Sequence, residues 1–115
     1  MADNQRLICA ASDLQERGRG IRFDLPELGE RLTGFVVRFD GEPRAFVNRC
    51  AHVPVELDWQ EGEFFDLSGD YLICATHGAH YLPASGDCVM GPCRGKALQP
   101  LRVVEQDGNI YLLLE

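Results

Sequence analysis

Two short units that each combine a cysteine with a histidine constrain this chain more than any other feature. Cys50 and His52 stand in "NRCAH", and Cys74 and His77 stand in "CATHGAHY". Metal ligands must converge from segments that the fold holds rigidly, and two short loops can meet that need. One thiolate and one imidazole from each loop therefore predict a shared metal centre.

The order of these four residues bears on which metal they bind. A tetrahedral zinc site can use two Cys and two His. In the common zinc finger, however, the two cysteines come first and the histidines follow. Here each unit is mixed, which favours a two-iron centre with thiolates on one iron and imidazoles on the other. A structural zinc site is the alternative.

The rest of the sequence indicates one small all-β domain. A length of 115 residues fits a single domain, and 45% apolar with 25% charged residues is typical of globular proteins. Asp40-Gly41 and Asp107-Gly108 each separate two apolar runs, which predicts two hairpins. Many short strands with glycine-bearing turns predict an antiparallel sandwich or barrel.

The segment 53–70 shows no clear periodicity. It holds Trp59 and the pair Phe64 and Phe65, which we expect to form a small satellite core beside the metal loops. Acidic residues in and before this segment are expected to be mostly solvated surface. They are Glu27, Glu30, Glu56, Asp58, Glu61 and Glu63.

Charge and targeting signals bear on partners and compartment. The formal net charge is −7, a sign that repels phosphate backbones and anionic lipid. We therefore expect no nucleic-acid or membrane partner, and a protein partner with a basic face. The N-terminus has no signal-peptide pattern, and no apolar run is long enough to cross a bilayer. These observations predict a cytoplasmic protein.

Nearly the whole chain resembles the Rieske iron–sulfur family. "NRCAH" is similar to the first cluster-binding loop, "CATHGAHY" to the second, and "GDCVMGPCRGKALQPLRVVEQDGNIYL" to the remainder. The resemblance implies a [2Fe-2S] cluster with Cys50 and Cys74 on one iron and His52 and His77 on the outer iron. It also implies a single Rieske domain over 1–115, with a β base and a cluster-binding subdomain at about 49–93.

The resemblance assigns further residues around the cluster. Gly91 and Pro92 correspond to the loop that shields it, and Tyr81 to a tyrosine that donates a hydrogen bond to a cysteine sulfur. Ala79 stands where high-potential members have a serine that donates to a bridging sulfide. Losing one donor and keeping another predicts a reduction potential of roughly −150 to 0 mV, in the lower part of the Rieske span.

The high-potential members also carry a disulfide between their two cluster loops. Val55 and Ala75 occupy those cysteine positions here, so that bridge cannot form. For Cys88 and Cys93 we favour free thiols, with a redox-sensitive pair as the alternative. An odd total of five cysteines argues against a closed disulfide framework.

One further cysteine and one further histidine are not assigned to the cluster. Cys9 lies in an apolar run, which indicates a core position. His80 follows the second unit and is expected to be a surface or packing residue, with a place at a docking edge as the alternative.

Soluble Rieske ferredoxins are the members that this chain resembles most. They imply a one-electron carrier between a separate reductase and an acceptor such as an oxygenase. The chain has three histidines, and two are assigned to the cluster, so a non-haem iron triad of two further histidines cannot form. No substrate-converting site is therefore expected. The alternatives are an accessory or regulatory subunit of a larger reductase or oxygenase complex, and a zinc-binding interaction module.

Overall fold

The computed structural model describes residues 5–29, 31–50, 55–58, 60–75, 78–91, 93 and 95–114. Among the residues predicted to be functional, His52, His77 and Pro92 lie outside this described part, as do Glu30 and Trp59.

Ten short strands and one three-residue 3₁₀ helix, Ala11–Asp13, make up the regular structure of the described residues. The strands are β1 Gln5–Ala10, β2 Ile21–Asp24, β3 Thr33–Phe39, β4 Glu42–Val47, β5 Leu72–Ile73, β6 His80–Tyr81, β7 Cys88–Met90, β8 Pro100–Leu101, β9 Val103–Gln106 and β10 Asn109–Leu113. The prediction of an all-β chain is confirmed.

The strands form three antiparallel sheets. The first has the order β1-β10-β9, the second β2-β3-β4-β8 and the third β5-β6-β7. The third sheet is built from strands on both sides of the second Cys/His unit: β5 directly precedes Cys74, and β6 and β7 follow the unit. It therefore brings both ends of the second predicted loop and the predicted shielding loop together.

Both predicted hairpins are present. Asp40 (φ 55°) and Gly41 (φ 79°) connect β3 to β4, and Asp107 (φ 53°) and Gly108 (φ 79°) connect β9 to β10. Positive φ at both central residues gives a turn whose twist matches that of the flanking strands. This requirement is why Asp-Gly is a reliable turn signal in this sequence.

Strand β3 lies between two parts of the hydrophobic core. Side chains alternate between its two faces. Phe35 and Val37 contribute to a core cluster that also contains Cys50 and Cys74, whereas Val36 contributes to a second cluster with Ile110. All three β3 side chains are fully buried. The second sheet is thus covered on one face by the first sheet and on the other by the segments that carry the cysteines.

The predicted satellite core beside the metal loops is wrong for Phe64. Its ring is fully buried in the main cluster and stacks on Phe35, with 4.0 Å between ring centroids. Phe65 is only partly buried and stacks on Phe39 at 6.2 Å. Segment 60–65 therefore seals the main core against β3, a long-range contact that local sequence pattern does not reveal.

Candidate metal centre

The thiols of Cys50 and Cys74 are both buried in the main core cluster, although one follows the second sheet and the other follows β5. Their exposed fractions are 3% and 0%. Leu57, Ala79 and Tyr81 are members of the same cluster. The fold thus gathers the two predicted thiol ligands with two of the predicted neighbouring residues.

Each cysteine closes its own loop through its backbone. The Cys50 N–H donates to the Val55 carbonyl at 2.7 Å, and the Cys74 N–H donates to the Ala79 carbonyl at 2.9 Å. The Gly78 N–H returns to the Cys74 carbonyl at 2.8 Å. We call residues 50–55 loop one and residues 74–79 loop two. His52 belongs to the first and His77 to the second, and both lie outside the described residues.

A direct hydrogen bond connects loop two to the segment that follows loop one. The Ala75 N–H in loop two donates to the carbonyl of Leu57, just after loop one, at 3.0 Å. The disulfide that bridges the loops in high-potential Rieske proteins is not possible between Val55 and Ala75. In this chain a backbone hydrogen bond from Ala75 instead reaches Leu57, two residues beyond Val55.

Tyr81 directs its hydroxyl at one of the two cysteines. Its side chain is fully buried on β6, and the hydroxyl oxygen lies 3.3 Å from Cys50 Sγ. A phenol can donate to a thiolate, which accepts hydrogen bonds. The contact joins the third sheet to loop one and is the geometry that the predicted role of Tyr81 requires.

Gly91 touches the backbone of loop two. Its φ is +97°, and a Cβ at this position would lie 2.9 Å from Ala79 Cα and 3.3 Å from the Gly78 carbonyl oxygen. Only glycine tolerates this positive φ without strain and, lacking a Cβ, avoids the overlap. The predicted shielding loop therefore lies directly against the end of loop two.

The expectation of free thiols at Cys88 and Cys93 is wrong. The two residues form a disulfide, with 5.8 Å between their Cα atoms. Cys93 is fully buried in the same cluster as Cys50 and Cys74, and Cys88 is 8% exposed. An odd cysteine count excludes complete pairing of all cysteines but not one local bridge, which is why the argument from number failed.

A buried polar network fixes the segments on either side of loop one. The expectation that Asp58 is solvated surface is wrong, and for that reason the sequence does not predict this network. The Asp58 side chain is fully buried and accepts hydrogen bonds from the Asn48 side chain at 3.1 Å and the Gly62 N–H at 3.0 Å. The Asn48 amide oxygen accepts from the Leu57 N–H at 2.9 Å. Arg22 approaches Asp58 at 3.7 Å.

Asn48 directly follows β4 and stands two residues before Cys50, whereas Asp58 follows loop one. Their hydrogen bond therefore ties the entry and exit of loop one together. The only sequence signal was a polar residue between an apolar strand and a predicted ligand.

His80 is partly exposed beside loop two. Its Nδ1–H donates to the Gly78 carbonyl at 2.8 Å, its Nε2 lies 3.6 Å from an Asp66 carboxylate oxygen, and its ring meets Tyr71 edge-on. This is a packing position with a polar partner, as expected. Cys9 is half-buried on β1, and burial raises the pKa of its thiol to about 11.

The described donors fit an iron–sulfur centre. Two thiols lie in one buried cluster with a hydroxyl directed at the sulfur of one of them, and thiolates are the usual ligands of iron–sulfur clusters. A buried thiolate is unfavourable unless a positive group such as a metal neutralises it.

A family model for the Rieske [2Fe-2S] domain matches residues 4–111. The chain belongs to the Rieske [2Fe-2S] domain family. Its cofactor is therefore a [2Fe-2S] cluster, as the sequence predicted. A search of curated proteins finds no match.

Solved structures agree with the family assignment. A chain from a complex of reduced oxygenase and oxidized ferredoxin in carbazole 1,9a-dioxygenase is 25% identical, with a TM-score of 0.78, over 97% of this chain and 94% of that one. The ferredoxin of carbazole 1,9a-dioxygenase from Nocardioides aromaticivorans IC177 is 20% identical, with a TM-score of 0.76, over 97% of this chain and 99% of that one. A ferredoxin of Sphingomonas yanoikuyae B1 has the same identity and TM-score, over 97% and 100%.

These matches confirm the predicted Rieske fold. Within the described residues, no helix has the length and apolar character that crossing a bilayer requires.

Proposed function

We propose that this Rieske protein is a one-electron carrier that accepts electrons from a separate reductase and passes them to an oxygenase. The observation that carries the proposal is the buried pair Cys50 and Cys74 with the Tyr81 hydroxyl 3.3 Å from Cys50 Sγ. The likeness to a ferredoxin chain that was solved in complex with its oxygenase supports the choice of acceptor.

In this proposal, Cys50 and Cys74 hold one iron and His52 and His77 hold the outer iron. The bound cluster supplies one-electron redox chemistry. The Tyr81 hydroxyl donates a hydrogen bond to the Cys50 sulfur, which would stabilise the more negative reduced state of the cluster and raise its potential. Ala79 offers no side-chain donor, so the proposed potential is roughly −150 to 0 mV.

Gly91 and Pro92 cover loop two in the proposed arrangement. Together with the third sheet and both loops they form the cluster-binding subdomain, about 49–93, of a single domain over 1–115. The first and second sheets are the base. We further propose that the chain converts no substrate of its own, and that it acts in the cytoplasm with protein partners rather than nucleic acid or membrane.

Metal analysis and four variants test the ligand assignment. We expect about two irons and two acid-labile sulfides per chain, and loss of the cluster in Cys50→Ser, Cys74→Ser, His52→Ala and His77→Ala. His80→Ala and Cys9→Ser are matched controls that should keep it. About one zinc per chain without sulfide would overturn the proposal in favour of a structural site.

Electron delivery is tested by mixing the reduced, cluster-loaded protein with an oxygenase of the carbazole dioxygenase type and following cluster reoxidation. Because the net charge is −7, a partner with a basic face should react more slowly as ionic strength rises. Reoxidation no faster than in the absence of any oxygenase would contradict the proposed acceptor class.

A further inference from the structure

The Cys88–Cys93 disulfide joins two residues that are five positions apart in the sequence. We call residues 88–93 the disulfide loop. Cys88 is the first residue of β7, which pairs with β6. Cys93 is fully buried in the core cluster that contains Cys50 and Cys74. The bond therefore connects the edge of the third sheet to the interior beside the proposed thiolate ligands.

Between the two cysteines, Gly91 lies against loop two. A Cβ on Gly91 would come within 2.9 Å of Ala79 Cα and 3.3 Å of the Gly78 carbonyl oxygen. Ala79 is also the residue whose carbonyl accepts the Cys74 N–H, the bond that closes loop two. Any movement of Gly91 away from loop two would uncover the backbone around one ligand cysteine.

Part of the disulfide loop faces solvent. Met90 is 45% exposed, and Cys88 retains 8% exposure, whereas Cys93 has none. An external thiolate can therefore approach from the Cys88 side, and Cys93 becomes the leaving thiolate. A leaving thiolate in an apolar interior is unfavourable, so exchange is slow while the loop is closed.

The proposed compartment gives this disulfide a second state. Disulfides in a reducing cytoplasm are usually transient, catalytic or redox-sensing, because cellular dithiols reduce them. One dithiol reductant supplies two electrons and two protons. The S–S bond breaks, Cys88 and Cys93 become thiols, and the reductant becomes its own disulfide.

We propose that the Cys88–Cys93 disulfide is a thiol-responsive control on how tightly the disulfide loop covers loop two, and hence on how firmly the cluster is retained. The inference rests on the proposed cluster site at Cys50 and Cys74. In the disulfide form, the short cross-link holds Gly91 against Ala79. In the dithiol form, the loop gains conformational freedom, and water and chelators reach loop two more often.

The test uses cluster-loaded protein in two states. One sample is treated anaerobically with dithiothreitol and desalted, and the other is left in the disulfide form. Alkylation after denaturation should add two more groups to the treated chain, which verifies the state of the bond. Cluster loss to a chelator is then followed by visible absorbance, and amide exchange is followed at residues 78–81.

We expect the treated sample to lose its cluster about 10- to 40-fold faster, because the chain-entropy relation gives about 40-fold as the upper limit for a cross-link of this length. Reoxidation should restore the slow rate. Exchange at 78–81 should rise in parallel, and the midpoint potential should move upward because water stabilises the more negative reduced cluster.

The double variant Cys88→Ser/Cys93→Ser should match the treated protein and should not respond to dithiothreitol. Cys9→Ser, which removes a cysteine outside the disulfide, should behave as the unaltered chain. Equal cluster-loss rates and equal potentials in the two states of the unaltered chain would overturn the inference. Protein that assembles no cluster in either state would instead contradict the proposed function.

Discussion

In both loop one and loop two, a backbone hydrogen bond from the cysteine N–H closes the loop, yet the surroundings that fix the two loops differ. Behind loop one lies a buried polar network in which Asp58 accepts hydrogen bonds from Asn48 and Gly62. Beside loop two lie Gly91 and the Cys88–Cys93 disulfide. The first loop is held by directional hydrogen bonds, and the second by close packing and a covalent bond.

The difference matters because the two kinds of support respond to different conditions. Hydrogen bonds to a buried carboxylate persist as long as the region stays folded, and they are costly to leave incomplete. A disulfide depends on the redox conditions of its surroundings. We therefore expect loop one to be the constant support of the site and loop two to be the adjustable one.

The largest effect should come from Asp58→Ala. The change leaves the Asn48 amide and the Gly62 N–H without their buried acceptor, which should lower the free energy of unfolding by about 3 kcal/mol. Urea denaturation of the cluster-loaded protein measures it. Glu63→Gln is the matched control: it weakens an exposed ion pair with Arg19, for which we expect less than about 1 kcal/mol. Equal losses of unfolding free energy in the two variants would mean that the Asp58 network supports loop one no better than an exposed ion pair would.

Gly91→Ala should be the next largest. The new Cβ would meet Ala79 Cα at 2.9 Å in a backbone with φ +97°, for an expected loss of about 2 kcal/mol. Gly95→Ala separates the two causes, because its φ is +88° but no atom lies within 4 Å of the added Cβ. A loss at Gly91 no larger than at Gly95 would mean that loop two is not packed against Gly91. Cluster-loss rates should follow the same order.

Tyr81→Phe tests the contact from the third sheet to loop one without changing either support. Removing a hydroxyl 3.3 Å from Cys50 Sγ should lower the midpoint potential by about 40 mV, since one hydrogen bond is worth about 1 kcal/mol and the transfer involves one electron. A spectroelectrochemical titration measures this shift. Tyr111→Phe, on β10 in the first sheet, should leave the potential unchanged. An unchanged potential in Tyr81→Phe would show that the hydroxyl does not act on the sulfur.

The two Cys/His units and the two hairpins could be recognised in the sequence because these features are local. A Cys/His unit needs a few adjacent residues, and an Asp-Gly turn needs two with positive φ. The supports of the loops are not local. The burial of Asp58 depends on Asn48 and Arg22 in other segments, and the position of Phe64 depends on its stack with Phe35 on β3. Cys88 and Cys93 were misassigned because cysteine number and compartment do not report which two thiols a turn brings together.

The smallest effect concerns pH on the loop-two side. Although burial alone raises the pKa of Asp66, hydrogen bonds from Ser68 and Gly69, with smaller help from His80, bring it below its usual value. A depressed carboxyl pKa stabilises the folded state above the unfolded value and loses that contribution as pH falls through the folded value.

Wild-type protein should therefore lose a small stabilisation below about pH 4 that Asp66→Asn lacks at every pH. The measurement is the difference between the urea midpoints of the two proteins from pH 3 to pH 7. Taking the difference removes the titration of all other groups that the two chains share. A constant difference would mean that the turn at Asp66 does not sense pH. A difference that shrinks toward acid would assign a weak pH response to the side of His80 and loop two. The Asp58 network of loop one should contribute nothing to this difference, because the Asp66→Asn variant leaves that network intact.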